Sequence, residues 1–310
     1  VYVVDATQRR IRRVRPDGII EAFAGTGAEG YAGDGGPALE ATFTAPGSIA
    51  VGPDGSVYVT DTYSTPEVYY MGVIRRIAPD GTIHRFAGVD AYCNSGWDWN
   101  AECNEEVPPL EAEVDSQVFG LAVSDEGTVC WSEWGWDRIR CVGLDGLVRS
   151  VAGGDVACGA WGSDPECGDG GPAAEAQIKE PRSLAFGPDG ALYLVDAVTR
   201  IRRIGPDGII SLYAGMYGDQ MAAVNGVPAT ESSIQAQDIV FGADGALYLI
   251  NSDPQYLRSV RRIHDGVVHH VAGRKMYCAA GLDCEVGAPA LDAELPNINE
   301  LAVAPDGTLY

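Results

Sequence analysis

Ser183-Leu184-Ala185-Phe186-Gly187-Pro188-Asp189-Gly190, Leu192-Tyr193-Leu194-Val195-Asp196 and Arg200-Ile201-Arg202-Arg203-Ile204 are three short apolar runs separated by turn residues. The first, Leu184-Ala185-Phe186, is apolar on both faces, as a strand buried on both sides must be. Asp189-Gly190 between apolar runs is a strong hairpin signal, because such a turn wants positive φ. A second Asp-Gly turn, Asp207-Gly208, leads into a fourth apolar run. The stretch therefore reads as four antiparallel strands.

The quartet recurs along the chain. Ala-Gly pairs close it at Gly25, Gly88, Gly153, Gly215 and Gly273, at spacings of 63, 65, 62 and 58 residues. Its first strand returns as Ile49-Ala50-Val51, Leu121-Ala122-Val123, Ile239-Val240-Phe241 and Leu301-Ala302-Val303. Four antiparallel strands at a constant period define a propeller blade. The expected fold is all-β, a single propeller domain over 1–310. In it 1–25 ends one blade, 26–88, 89–153, 154–215 and 216–273 are full blades, and 274–310 begins a further one. Leu309-Tyr310 and Val1-Tyr2 hold the same place in the repeat. Joining the ends would duplicate part of a strand, so the expectation is about five blade-equivalents of a six-bladed ring. A start without Met and an end inside a repeat are expected of a slice from a longer protein.

The pattern Ser183 to Gly190, Leu192 to Asp196, Arg200 to Ile204 resembles an NHL repeat. Gly33-Asp34-Gly35-Gly36-Pro37-Ala38 and Gly168-Asp169-Gly170-Gly171-Pro172-Ala173 are similar to the NHL propellers that precede the YD-repeat shell in teneurins and bacterial Rhs-like proteins. Other periods depart from that motif, with Val107-Pro108-Pro109, Gly226-Val227-Pro228-Ala229 and Gly287-Ala288-Pro289-Ala290 in its place. The resemblance implies a binding or bracing role beside a YD-repeat domain of the same chain. It also implies a disulfide in the insert from Cys158 to Cys167, which runs directly into Gly168.

Net charge is −23, and 13 of the 21 cationic residues sit in the recurring third strand. The remaining surface sets 8 positive charges against 44 acidic ones, which disfavours nucleic acid, whose binding rests on neutralising phosphates. No apolar run approaches the roughly 18 residues of a membrane span, so direct membrane insertion is not expected.

Eight cysteines form four local pairs: Cys93 with Cys103, Cys130 with Cys141, Cys158 with Cys167, and Cys278 with Cys284. Free thiols or a zinc site are the alternatives, although no pair has Cys-x-x-Cys spacing. Cys130 stands where other blades carry Tyr2, Tyr58, Tyr193 and Tyr248; Cys141 stands where they carry Arg13, Arg76, Arg203 and Arg262. Both members of one cross-strand pair changed together, and facing residues of adjacent antiparallel strands lie within disulfide range. Disulfides imply an oxidising location, extracellular or cell-surface.

Alternating strand direction puts the short Asp-Gly turns on one face. The second-to-third loops and the blade crossovers share the other. Five of six tryptophans fall on that second face: Trp97, Trp99, Trp134, Trp136 and Trp161. Tyr69 and Tyr70 extend the aromatic set. Two readings stay open, a small core for the loop inserts or an exposed patch for a protein or glycan ligand. The recurring Arg12, Arg75, Arg140, Arg202 and Arg261 and the carboxylates Asp5, Asp61, Glu133 and Asp196 read as a structural lattice, broken at Asn251.

An enzyme of the lyase or lactonase kind would place metal ligands where the innermost strands begin. Asp238, Asn299 and Glu300 stand there and could offer oxygen to Ca²⁺. All four histidines lie elsewhere, so zinc has no evident ligand set. No cofactor is expected beyond that Ca²⁺, and the reading is a non-catalytic propeller.

Overall fold

The computed structural model describes residues 1–63, 71–89, 105–153, 168–216, 223–252, 258–273, 289–295, 298–304 and 306–310. They form five antiparallel sheets. The first has three strands, β1 (Tyr2–Asp5), β2 (Arg10–Val14) and β3 (Ile20–Ala24). The second holds β4 (Ile49–Val51), β5 (Val57–Tyr63), β6 (Met71–Ile77) and β7 (Ile83–Ala87). The third holds β8 (Leu121–Val123), β9 (Val129–Glu133), β10 (Arg138–Val142) and β11 (Val148–Ala152). The fourth holds β12 (Leu184–Phe186), β13 (Leu192–Asp196), β14 (Arg200–Ile204) and β15 (Ile210–Gly215). The fifth holds β16 (Ala236–Phe241), β17 (Leu247–Asn251), β18 (Ser259–His264) and β19 (Val267–Ala272). Strands follow chain order within every sheet, as in an all-β propeller with four-stranded antiparallel blades. Five blades are present; the sixth expected from the sequence is not among the described sheets.

The chain divides into two compact units, Val1–Val151 and Ala152–Tyr310. In the first, Ile11, Phe43, Val57, Val59, Ile77 and Ile83 make one core cluster, and Trp131, Leu121, Ile74 and Val148 belong to another. In the second, Val195, Ile201, Ile234, Leu249 and Ile263 are the centre of the packing. Each cluster mixes strand residues with residues of a crossover, so the connections between blades are part of the core. Among the described residues no helix is long and apolar enough to cross a membrane.

Among the described residues each crossover contains a 3-10 turn: Ala38–Glu40, Pro109–Glu111, Ala173–Glu175, Ala229–Glu231 and Ala290–Asp292. Each turn follows a proline (Pro37, Pro108, Pro172, Pro228, Pro289), whose fixed φ suits the entry to a helical turn. The periods that depart from Gly-Asp-Gly-Gly-Pro thus keep its local geometry. Just before the turn, the chain runs along the outermost strand of the blade it is entering. Gly35 N donates to Ile83 O (2.8 Å) and Ile83 N to Gly36 O (3.0 Å). The same exchange joins Gly170 and Gly171 to Ile210, Glu106 and Val107 to Val148, and Gly226 and Val227 to Val268. An edge strand is a template for unwanted pairing, and here the crossover covers part of it.

Candidate functional site

The arginines of the third strand hold these crossovers in place. Arg75, Arg140 and Arg202 are fully buried, and each donates Nη1 to a carbonyl two residues beyond the 3-10 turn: Thr42 (2.7 Å), Glu113 (2.8 Å) and Gln177 (2.7 Å). Two residues further on, a backbone N–H donates to the side chain that ends the second strand. Thr44 N reaches Asp61 Oδ1 (3.1 Å), joined there by Ala45 N (2.8 Å), Lys179 N reaches Asp196 Oδ1 (2.8 Å), and Asp115 N reaches Glu133 Oε1 (3.3 Å). Asn251 does the same through its amide oxygen, accepting from Gln235 N at 2.8 Å. The residue that interrupts the run of carboxylates therefore keeps the acceptor role, while Glu133 and Asp196 add ion pairs with Arg138, Arg200 and Arg202.

The motif aspartates complete the clamp. Asp34 Oδ1 accepts both Nε (3.0 Å) and Nη2 (2.8 Å) of Arg75, and Asp169 Oδ1 accepts both from Arg202 (3.0 and 2.7 Å). Such charge-assisted forks fix orientation as well as energy. Burial pushes the Asp61 carboxyl up to about 6, against the backbone donors of Ala45 and Thr62 and the charge of Arg75.

On this frame the β9–β10 hairpin presents aromatic rings. Trp131 is fully buried, and its indole N–H donates to Glu133 Oε1 (2.9 Å). Trp134 and Trp136 are half-buried at the hairpin. Trp134 lies edge-on to the exposed Phe119, with centroids 6.2 Å apart. The Arg138 guanidinium sits 4.5 Å from the Trp136 ring centroid and is ion-paired to Glu133. The hairpin backbone is pinned as well: Gly135 N donates to Asp115 Oδ2 (2.7 Å) and Trp134 N to Gln117 O (3.1 Å). No periodic or motif signal in the sequence singles out Phe119, whose exposure comes from lying just before β8. Tyr63 and Met71 are buried in core packing. Trp97, Trp99, Trp161, Tyr69 and Tyr70 lie outside the described residues.

The Cys130–Cys141 disulfide is present, and the two residues face each other in the β9–β10 register. The same register pairs Tyr2 with Arg13, Tyr58 with Arg76, Tyr193 with Arg203, and Tyr248 with Arg262. Cys93, Cys103, Cys158, Cys167, Cys278 and Cys284 lie outside the described residues.

Two of the three proposed cation ligands, Asp238 and Asn299, are engaged with protein donors. Asp238 Oδ1 accepts from Ser183 Oγ (2.6 Å) and Oδ2 from Leu301 N (2.7 Å), while Ser183 Oγ accepts from Ile239 N (3.1 Å). Asp238 thereby staples the starts of successive innermost strands. Asn299 Oδ1 accepts from Arg258, whose guanidinium would repel a cation there. Glu300 is exposed, yet the protein crowded around its carboxyl, and secondarily the Asp238 charge, push it up to about 7. These three residues would supply only part of the 6–8 oxygen ligands that Ca²⁺ takes. Among the described residues no group of three or more His, Cys, Asp and Glu side chains gathers to hold a metal.

Repeated four-stranded blades, the Asp-Gly turns and the clamped crossovers define a β-propeller whose repeats resemble NHL repeats. The chain resembles teneurins: the family described as Teneurin NHL domain matches residues 145–234. Teneurin-m of Drosophila melanogaster is 26% identical over 290 residues, which is 89% of this chain and 9% of that protein. Teneurin-3 of Mus musculus is 27% identical over 279 residues, 86% of this chain and 9% of its own length. The chain spans about a tenth of the length of these curated relatives. Among solved structures, a Bacteroides thetaiotaomicron protein of unknown function superposes with a TM-score of 0.60 at 14% identity, over 97% of this chain and 60% of that one. A streptogramin B lyase does so at 0.50 and 12% identity, over 99% and 85%. At such identities these structures share the fold alone.

Proposed function

We propose that this chain is a non-catalytic binding and scaffold propeller that engages a protein or glycan through the face carrying the β9–β10 hairpin. The observation that carries this reading is the ring set of Phe119, Trp134 and Trp136, held at a hairpin whose backbone is pinned by Asp115 and Gln117. Rigid aromatics give large contact area at low conformational-entropy cost, which is why they dominate binding hot spots. Similarity to teneurins extends the proposal: the propeller braces an adjacent YD-repeat shell. The Cys130–Cys141 bond supports an extracellular or cell-surface location.

The test is binding of the purified chain to a printed glycan array and to a recombinant teneurin YD-repeat shell. Trp134→Ala and Trp136→Ala should each weaken the strongest interaction at least tenfold with unchanged circular dichroism. Binding that neither substitution alters would remove the hairpin from the reading.

A second reading, a Ca²⁺-dependent lyase or lactonase, draws on the Glu300 carboxyl beside Asp238, poised to titrate near neutrality. Against it stand the protein donors already on Asp238 and the Arg258 guanidinium on Asn299. Elemental analysis after dialysis decides: one tightly held calcium per chain, lost in Glu300→Ala, would replace the scaffold reading.

A further inference from the structure

The carboxylate clamp is replaced in the fifth blade, where Asn225 holds the register of Asp34 and accepts from His270 N (2.7 Å), and it is incomplete in the third. Glu105 occupies the register of Asp34 and Asp169, since Glu106 and Val107 bond to Val148 as Gly35 and Gly36 bond to Ile83. Glu105 is one methylene longer, and its carboxylate turns to the outermost strand instead. It accepts from Ser150 N (2.7 Å) and Ser150 Oγ (2.6 Å), leaving the nearest Arg140 nitrogen, Nη2, 3.8 Å away. Arg140 is fully buried, and its Nε and Nη2 find no acceptor among the described residues. In the two sister blades those same two donors share a single carboxylate oxygen at 2.7–3.0 Å. Burial lowers the Arg140 pKa to about 10, with Glu133, Glu105 and Glu113 opposing and Arg138 adding to the fall. The guanidinium thus stays charged at neutral pH, with two of its donors unfilled among the described residues.

We propose that the Nε/Nη2 fork of Arg140 is a seat for one oxygen of a small monocarboxylate, of formate to acetate size, taken from solution. A guanidinium fork matches carboxylate geometry better than a spherical halide, and both sister seats hold a carboxylate oxygen. The site lies on β10 of the same hairpin, 5.8 Å from the Trp131 ring centroid, but it uses none of Phe119, Trp134 and Trp136 and does not depend on the binding reading. Because Arg140 is enclosed, the anion enters when the crossover opens or as the chain folds. Equilibrium stability is therefore the readout: a ligand of the native state raises it with concentration and then levels off logarithmically.

The experiment is thermal unfolding of the purified chain in sodium formate and in sodium chloride at matched ionic strength, pH 7.5. Tm in formate should exceed that in chloride by about 2 °C or more, with an increment that follows single-site linkage. Glu105→Asp shortens the side chain to the sister length, so it should raise Tm in chloride and abolish the formate increment. Arg140→Lys keeps the charge, loses the fork and should also lose the increment. Equal Tm in the two salts overturns the proposal, leaving water or chloride as the occupant. An increment linear in concentration, or one retained in both variants, is a bulk salt effect and overturns it as well.

Discussion

Asp169 and Arg202, 33 residues apart, meet in a fork in which one carboxylate oxygen accepts both Nε (3.0 Å) and Nη2 (2.7 Å) of an arginine with no exposed side-chain surface. Arg202 also reaches Gln177 O and Asp196 Oδ2, so the crossover, the second strand and the third strand share one cation. Removing one partner of a buried pair leaves the other uncompensated. Asp169→Ala is expected to cost about 3 kcal/mol in urea unfolding, and Asp34→Ala a similar amount. Asp169→Asn, which keeps the acceptor but not the charge, should recover roughly half of that loss.

The third blade substitutes covalent chemistry for a polar rivet. In the fourth blade Tyr193 OH donates to Asp189 Oδ2 (3.2 Å), which also pairs with Arg203 (2.7 Å), and Tyr248, Asp244 and Arg262 repeat this in the fifth. Cys130 and Cys141 occupy the Tyr and Arg positions. Closing so short a loop stabilises by about 2–3 kcal/mol in the chain-entropy view. Cys130→Ser with Cys141→Ser should lose about that much under non-reducing conditions. The pair Cys130→Tyr and Cys141→Arg should recover part of it, with Glu126 standing where Asp189 stands. Denaturation midpoints of the two double variants, compared with the reduced wild type, check the order.

Asp61 sets a pH dependence that Asn251 lacks. Its folded pKa of about 6 lies above the value of an exposed aspartate, about 3.9. The native state therefore binds more protons than the unfolded state between those values. This group makes stability fall as pH rises from about 4 to about 6, with the full cost present above that window. Asp61→Asn, which copies the fifth blade, should flatten that part of the stability-versus-pH curve while keeping the acceptor for Ala45 N. Guanidinium unfolding at half-unit pH steps measures the change in slope. A slope unchanged by the substitution would assign the window to other carboxylates, Glu300 first, which should act the same way up to about 7.

The repeat was legible because strand periodicity and Asp-Gly turns are local signals, and the Cys130–Cys141 pair because equivalent positions in the other blades revealed the register. The role of Asp34 and Asp169 was not, since each meets its arginine across more than thirty residues and no local pattern names that partner. Asn251 looked like a break because charge was tracked, whereas the contact to the crossover backbone needs only an acceptor oxygen. The departures at Val107-Pro108-Pro109 and Gly226-Val227-Pro228 also misled: the proline and backbone exchange persist without the glycines. The tryptophans divide by position, with Trp131 turned inward on β9 and Trp134 and Trp136 lifted out by the hairpin, a distinction that composition alone does not carry.

Gly168 ties the motif to its backbone. Its φ is +84°, and an added Cβ would lie 2.5 Å from Ala176 Cβ and 2.6 Å from Ala176 Cα. Gly33 meets Ala41 in the same way, with φ +97° and 2.7 Å to Cα. Two separable penalties follow for Gly168→Ala: the left-handed backbone, about 1–2 kcal/mol for an L-residue, and overpacking against the crossover, about 1–3 kcal/mol. Adding Ala176→Gly removes the Cβ–Cβ clash but leaves the close approach to Cα and the backbone conformation. The double variant should therefore recover a minority of the loss, and the coupling energy between the two sites should be below about 1 kcal/mol. Recovery of nearly all the stability would mean that the side-chain clash alone enforces glycine; no recovery would place the whole requirement on the backbone.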